Sequence, residues 1–490
     1  MELLERLAIR EISIKIPQSS DLTRLESDFY TSDSMIFKKS LTGAKIIDFV
    51  QYGTSEELNE DGIGYPILRL NEFDSNFIKT PSKSSNKISE NVYENLKLYK
   101  DDVLICRTNG NPKLVGKSAI VPMNYEFAYA SYLFKVRPKI DLINSSTLVT
   151  YLNSKYGRME IEKHSMVGNQ ANFSPAKFRE INIPIFDKKF NLKIEENTYL
   201  AFNLLIKSQE LYSQAESILL KEIGLEKEVT GLNPVEVTNQ AVEGSNPSMF
   251  TNNGANKNVN VKSFKDSFGV TGRLDAEYYQ KKYEVVIEKI KSYKNGFEPL
   301  FIACNLKDSN HNPKENQEYN YIELSNIGKT GDINGCTTEL GKNLPSRARR
   351  IVNTNDVIIS SIEGSLQSCA VVGKEYNNAL CSTGFYVINS EKINSETLIV
   401  LFKSDLMQSI MKQNCSGTIL TGMNKYEFQN ILVPLIEKKA QQEIAQLIEE
   451  SFSLKKQSEY LLEVAKRAVE IAIEENEAAA MAYINENVKS

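Results

Sequence analysis

The sequence predicts an α+β protein in which two similar mixed α/β domains are each followed by one long helix. The two helices are expected to pair as an antiparallel coiled coil with pseudo-twofold symmetry. Three observations carry this. The chain repeats itself at about half its 490-residue length. Each half holds short β-branched and aromatic runs bounded by turn residues. Each half then closes on a heptad pattern too long for a single small domain.

The repeat is colinear. Arg24-Leu25-Glu26-Ser27-Asp28-Phe29-Tyr30 returns as Arg273-Leu274-Asp275-Ala276-Glu277-Tyr278-Tyr279, and Asp102-Val103-Leu104-Ile105 as Asp356-Val357-Ile358-Ile359. Later matches share one offset of 250: Ile143-Asn144-Ser145 with Ile393-Asn394-Ser395, Phe178 with Phe428, and Pro184 with Pro434. Strands are expected at 65–70, 103–107, 132–138, 357–361 and 384–389. Short helices capped by Ser or Asn are expected at 146–154 and 395–404. Residues 231–260, rich in Asn, Gly and Ser with two Asn-Pro steps, mark a tether between the halves.

The heptads follow each domain. In the second half Ile444, Ser451, Ser458, Ala465 and Ala472 fall at one seam position, with Leu447, Leu454, Leu461 and Ala468 at the other. In the first half Ile194, Ala201, Ser208 and Ala215 alternate with Asn197, Leu204, Leu211 and Ile218, Asn197 being the polar departure. Small side chains at one seam position let two helices approach closely. The two stripes are therefore read as partners rather than as faces that each pack on their own domain. Some 35 residues at about 1.5 Å each make a strut of about 50 Å. The division expected is 1–188 and 265–436 for the domains, 189–228 and 437–486 for the helices, and 229–264 for the linker.

Composition narrows the function classes. No apolar run reaches the about 18 residues needed to cross a bilayer, and the first twenty residues lack a signal-peptide core. Six scattered cysteines without a C-x-x-C pair support neither zinc nor a disulfide framework, and fit a reducing cytoplasm. The two histidines, His164 and His311, read as surface residues, and so few of them argue against a hydrolase with a histidine base. The net charge of −5 is concentrated: residues 187–228 hold eight acids against six bases, and 437–490 eleven against seven. The rest is near neutral with local basic clusters, which are what phosphate binding depends on.

This architecture resembles the specificity subunits of type I restriction-modification systems. The local features that match are Arg-Leu-(Asp/Glu) followed by Phe29-Tyr30 or Tyr278-Tyr279, the Asp-Val-(Leu/Ile)-Ile strand, and the apolar-Pro step before each long helix, Ile183-Pro184 and Val433-Pro434. The long Asn-rich linker departs from the simplest pattern. The resemblance implies two target-recognition domains, each reading half of a split site on double-stranded DNA. The helices would fix the gap and dock two methyltransferase subunits, with restriction or translocase subunits as further partners and no membrane involved. It also implies no cofactor and no catalytic residue in this chain, S-adenosylmethionine being held by the methyltransferase partners.

Residue types give separate support, since DNA readers use Arg for guanine edges, Asn or Gln for adenine edges, and Lys or Ser for phosphates. The first half offers Arg69 and Asn71 beyond one strand, Arg107, Asn109, Lys113 and Lys117 beyond another, Lys79, Lys83 and Lys87 among serines, and the loop Asn169, Gln170 and Asn172. The second offers Lys314, Asn326, the cluster Arg347, Arg349 and Arg350, and Asn424 with Lys425. Two enzymatic readings fail. GNPKLVGKS (110–118) has five residues rather than four between its P-loop glycines, and its counterpart GSLQSCAVV lacks the lysine. No two prolines are adjacent, so the (Asn/Asp)-Pro-Pro-aromatic step of adenine methyltransferases is missing. A coiled-coil scaffold displaying two domains for ligands other than DNA stays open at this point.

Overall fold

The computed structural model describes residues 39–165, 171–225, 260–417 and 421–488. Arg24–Tyr30 and most of the expected linker lie outside them. The described residues form two units. One holds those up to Ile206 and from Lys455 onward, the other those within Lys207–Leu454. Each long helix, Lys188–Ile223 and Lys438–Glu474, gives one part to each unit.

The first unit is built on a six-stranded sheet in the order Ile47–Tyr52, Leu133–Pro138, Val103–Cys106, Ser118–Ile120, Phe77–Ile78, Phe73–Asp74. The central strand is apolar at every position because both faces are covered. Val103 and Ile105 face the helix Ser145–Asn153 and Phe178, while Leu104 and Cys106 face the small sheet containing Tyr65–Leu68 and Ala128–Tyr129. The second unit repeats this with Val357 and Ile359 on one side and Ile358 on the other. Its sheets are Asn305–Lys307, Phe385–Asn389, Val357–Ser360, Cys369–Val371, and Thr337–Leu340, Glu318–Ile322, Leu380–Ser382, Ala348–Ile351.

The Asp-Val-(Leu/Ile)-Ile motif has a structural cause. Asp102 and Asp356 are buried, and each carboxylate accepts the N–H three residues back, Tyr99 at 3.0 Å and Asn353 at 2.8 Å. The residue before each, Asp101 or Asn355, sits at φ 68°, a left-handed turn that Asp and Asn tolerate. The charge is then met by a base: Arg137 Nη2 at 2.7 Å in one unit, Lys307 Nζ at 2.8 Å in the other.

Two caps are shared as well. Asn144 and Asn394 accept from the N–H of Thr147 and Thr397, both at 2.9 Å, starting the helices Ser145–Asn153 and Ser395–Lys403. Each amide then donates to a main-chain carbonyl in the first turn of a long helix, Asn191 at 2.9 Å and Gln441 at 3.0 Å. The predicted short strands and helices fall within one or two residues of those observed, whereas the long helix expected over 189–228 ends at Ile223 and the one expected over 437–486 breaks after Glu474, Asn476 capping a separate helix Glu477–Asn487. The strand expected over 65–70 stops at Leu68 because Arg69 opens a 3-10 turn over Leu70–Glu72.

In the first unit Ala201 faces Ser458, whose hydroxyl donates to the Ala201 carbonyl at 2.7 Å, and the Asp187 N–H reaches Glu477 at 2.9 Å, so the two helical parts run antiparallel. In the second unit Ser451 donates to the Ser208 carbonyl at 2.7 Å, and Tyr293 links Glu222 to the Glu437 N–H, again antiparallel. Ile194, Ala201, Ser208, Ala215, Ile444, Ser451, Ser458 and Ala465 are buried, as are Leu211 and Leu461. The second seam position is wider than a strict heptad. Leu204, Leu447 and Leu454 are only half-buried, while Leu205 and Ile448, one place after the first two, are buried, as is Leu462 beside Leu461. Each helix covers its globular domain as well as the facing helix, so its apolar arc broadens.

One expectation is corrected. His164 is not a surface residue: it is buried at the end of the helix Lys155–His164, with Nδ1 2.9 Å from the Glu160 carbonyl. Among the described residues no helix is long and apolar enough to cross a membrane, and no cluster of His, Cys, Asp or Glu could hold a metal ion.

Candidate nucleic-acid interface

In the first unit the central strand Val103–Cys106 runs directly into Arg107. The next residues pair with the segment that leads to the long helix: Thr108 with Asn172 and Asn109 with Ala171. The Thr108 hydroxyl donates to the Ala171 carbonyl at 3.1 Å, and the Phe173 N–H donates to the Arg107 carbonyl at 2.8 Å. The structure therefore brings two of the predicted clusters, 107–113 and Asn172, to one corner. Asn169 and Gln170 lie outside the described residues.

At this corner Asn109 accepts from the Asn111 N–H at 2.8 Å, and Asn111 accepts from Lys113 at 3.1 Å as cap of the turn Pro112–Leu114. These bonds shape the loop and leave Lys113 exposed. Lys117 is half-buried and its carbonyl takes the Cys106 N–H. The Arg107 guanidinium lies 5.4 Å from the ring centroid of Tyr52, and its main-chain N–H donates to the Tyr132 carbonyl at 2.7 Å. Tyr52 and Tyr132 are exposed. Sequence reasoning missed both, although for Tyr52 an aromatic at the exposed end of IDFVQY was the available signal.

Arg69 turns inward. Its Nη2 is 3.0 Å from Glu72 Oε1 and 2.8 Å from Ser82 Oγ, while its own N–H donates to Glu72 Oε2 at 2.8 Å. Asn71 stands exposed on the same turn. Lys79 and Lys83 are ion-paired with Asp74 at 2.6 Å and Glu60 at 2.7 Å.

The second unit has the same corner. Ser361 follows the central strand, its carbonyl takes the Met423 N–H at 2.8 Å, and Ile362 pairs with Gly422. Asn424 caps the helix Lys425–Asn430 by accepting from Glu427 at 2.9 Å. Lys425 is bonded to Asp308, and that hydrogen bond, with the charges of Lys425 and then Arg350, holds the Asp308 carboxyl below its ordinary range. Arg350 comes from the strand Ala348–Ile351 and lies 5.8 Å from the ring centroid of Tyr386, whose hydroxyl donates to the Met423 carbonyl at 2.8 Å. Arg347 is exposed, and Arg349 Nε donates to the Ser346 carbonyl at 3.0 Å. Asn326 is placed elsewhere: it closes the 3-10 turn Leu324–Asn326 by accepting from the Glu323 N–H at 2.8 Å, the work Glu72 does in the first unit.

No activated thiol accompanies these groups. Burial pushes Cys106, Cys369 and Cys415 up to about 11, and Cys304 and Cys381 to about 12.

Both units are α+β, and each gathers Arg, Asn and Lys side chains where its central strand ends. Residues 297–463 match the family described as type I restriction modification DNA specificity domain. The chain is 29% identical over 146 residues to the StySPI specificity subunit of Salmonella potsdam, covering 29% of this chain and 31% of that relative. It is 33% identical over 94 residues to the EcoKI specificity subunit of Escherichia coli K12, covering 19% and 20%. These matched stretches span about a third and a fifth of the relatives' lengths. Among solved structures, the S subunit from M. genitalium aligns over 89% of this chain and 96% of its own, with a TM-score of 0.39 and 12% identity. The HsdS subunit from Thermoanaerobacter tengcongensis aligns over 89% and 97%, with a TM-score of 0.29 and 10% identity.

Proposed function

We propose that the chain is the specificity subunit of a type I restriction-modification system. It binds double-stranded DNA at a bipartite target, one half read by each unit, with target-recognition domains in residues 1–188 and 265–436. It directs two methyltransferase subunits, and restriction subunits with them, to that target. The chemistry, and the S-adenosylmethionine it consumes, belong to those partners.

One observation carries the reading: the framework of the matched segment 297–463 recurs in the first unit, down to Asp102 for Asp356 and Asn144 for Asn394. In both units that framework ends in a corner bearing a guanidinium and amide side chains, the groups that contact phosphates and base edges. The test is a salt titration of the full chain on duplex DNA. A steep linear fall of log K with log salt is expected, together with selection of a two-part sequence from a randomised duplex pool. A flat slope would instead favour a scaffold for other ligands.

A further inference from the structure

We infer that Arg107 and Arg350 each read a guanine, one in each half of the target. The inference rests on the DNA-binding function proposed above and deepens it.

The two arginines are not copies of each other. The counterpart of Arg107 after the second central strand is Ser361, each carbonyl accepting the equivalent N–H, from Phe173 or Met423, at 2.8 Å. Arg350 reaches the corresponding corner from the strand Ala348–Ile351. The first unit has no such strand at that point in the chain, where the helix Glu90–Leu96 precedes Asp102 instead. Inheritance from a common half therefore does not explain why both corners hold a guanidinium over a tyrosine ring. The rings differ as well, Tyr52 on an edge strand and Tyr386 on an inner one.

Both guanidiniums are under-satisfied. Arg107 Nε, and Nε and Nη1 of Arg350, are buried and have no hydrogen-bond partner among the described residues. Arg69 and Arg273 each leave one buried nitrogen unbonded too, but a carboxylate already holds each of them, Glu72 and Asp275. Arg137 and Arg467 are likewise held by carboxylates. Asp308, the acid whose carboxyl feels Arg350, is bonded to Lys425. A buried donor without an acceptor costs free energy in the unbound protein and gains it when an acceptor arrives.

The stacking selects the acceptor. A guanidinium held on an aromatic face keeps its planar fork fixed, which suits the O6 and N7 acceptors of guanine in the major groove. Phosphates need only a charge, and exposed Lys113 and Arg347 offer that in the two units.

The experiment is selection of randomised duplex DNA on the full chain and its variants, with sequencing of the bound pool at two salt concentrations. The wild type should require one guanine in each half of its target that responds to these residues. Arg107→Lys keeps the charge but loses the fork. It should cut the preference for one guanine in one half by about ten- to a hundredfold, leaving the other half and the salt slope unchanged. Arg350→Lys should do the same in the other half only. Arg107→Gln and Arg350→Gln are second variants for a lysine that disturbs folding, and should move the preference at those positions towards adenine. Uniform weakening across all sequences would make these phosphate contacts and overturn the inference, as would an unaltered preference. A wild type that selects a sequence untouched by all four variants overturns the inference and leaves the proposed function standing. A wild type that selects nothing overturns both.

Discussion

The two units build the same frame with the same residues and furnish the corner beyond the central strand with different ones. Asp102 and Asp356 close equivalent turns, and Asn144 and Asn394 cap equivalent helices and tie them to a long helix. At the corners the equivalence stops. Arg107 extends a central strand, whereas Arg350 arrives on a strand that the first unit lacks. Even within the frame the partner groups have drifted: the 3-10 turn after the small-sheet strand is closed by Arg69 and Glu72 in one unit and by Glu323 and Asn326 in the other. Main-chain geometry is held at the turns, and side chains differ at the corners beyond the central strands.

The largest test of this comparison is at the buried aspartates. Asp102 meets Arg137 and Lys135, a lysine buried in the core, whereas Asp356 meets Lys307, which is a third exposed. Asp102→Ala should destabilise its unit by about 3–5 kcal/mol because a buried cation is stranded. Asp356→Ala should cost about 1–3 kcal/mol, the range for losing a buried hydrogen-bonded group whose partner can reach water. Denaturant unfolding with a probe in each unit checks the order, and equal losses would break it.

Asn144→Ala and Asn394→Ala come next. Each removes a cap and a tie to a long helix, so each should cost about 1–2 kcal/mol, and by similar amounts if the two caps do the same work. A loss confined to one unit in melting experiments would show that only one tie matters.

A smaller effect separates the two carboxylate clamps. Glu474 accepts from Tyr156 at 2.7 Å and Lys155 at 2.6 Å, and Glu222 from Tyr293 at 2.8 Å and Lys294 at 3.0 Å. The hydrogen bond from Lys155, with those from Tyr156 and Arg467, outweighs burial and holds Glu474 at about 2. Burial raises Glu222, and its bonds to Lys294 and Tyr293 outweigh that, leaving it below its ordinary value. A depressed carboxyl stabilises fully above its unfolded value, here 4.5, and loses that contribution as pH falls towards 2. Melting temperatures between pH 5 and 2.5 should therefore fall less for Glu474→Gln than for the wild type, and Glu222→Gln should change the profile less than Glu474→Gln does. The smallest effect is Arg347→Ala, an exposed charge whose loss should lower the DNA salt slope by up to about one counterion without altering sequence preference.

Much of the frame was legible because it obeys local rules. The strand that Asp102 enters, the cap at Asn144 and the small-residue stripe from Ala201 to Ala215 all follow from residue type and spacing. The corners were legible only as clusters. Arg69, Asn326 and Asn424 had the right chemistry for base contact, yet the structure commits them to turns and caps within their own units. A polar side chain near a strand end can bond a nearby main-chain group or point outward, and sequence does not distinguish the two. Tyr386 escaped notice for the opposite reason: it reads as a core strand residue, and its ring lies under Arg350 only because two strands distant in sequence share the corner. The strict heptad also missed Ile448 and Leu462, which are buried because, within its unit, each helical part packs on the globular domain as well as on the facing helix.

The ties from Asn144 and Asn394 end on carbonyls, as do the hydroxyls of Ser451 and Ser458 on the facing helix. A carbonyl is supplied by any residue. The asparagine tie itself therefore tolerates any residue at Asn191 or Gln441, while the buried positions such as Ile194 and Ile444 still pack against the domain. Ties keyed to the main chain put no demand on helix side chains at those points, so what the helix sequence must preserve for its domain lies chiefly in the apolar arc packed into the core.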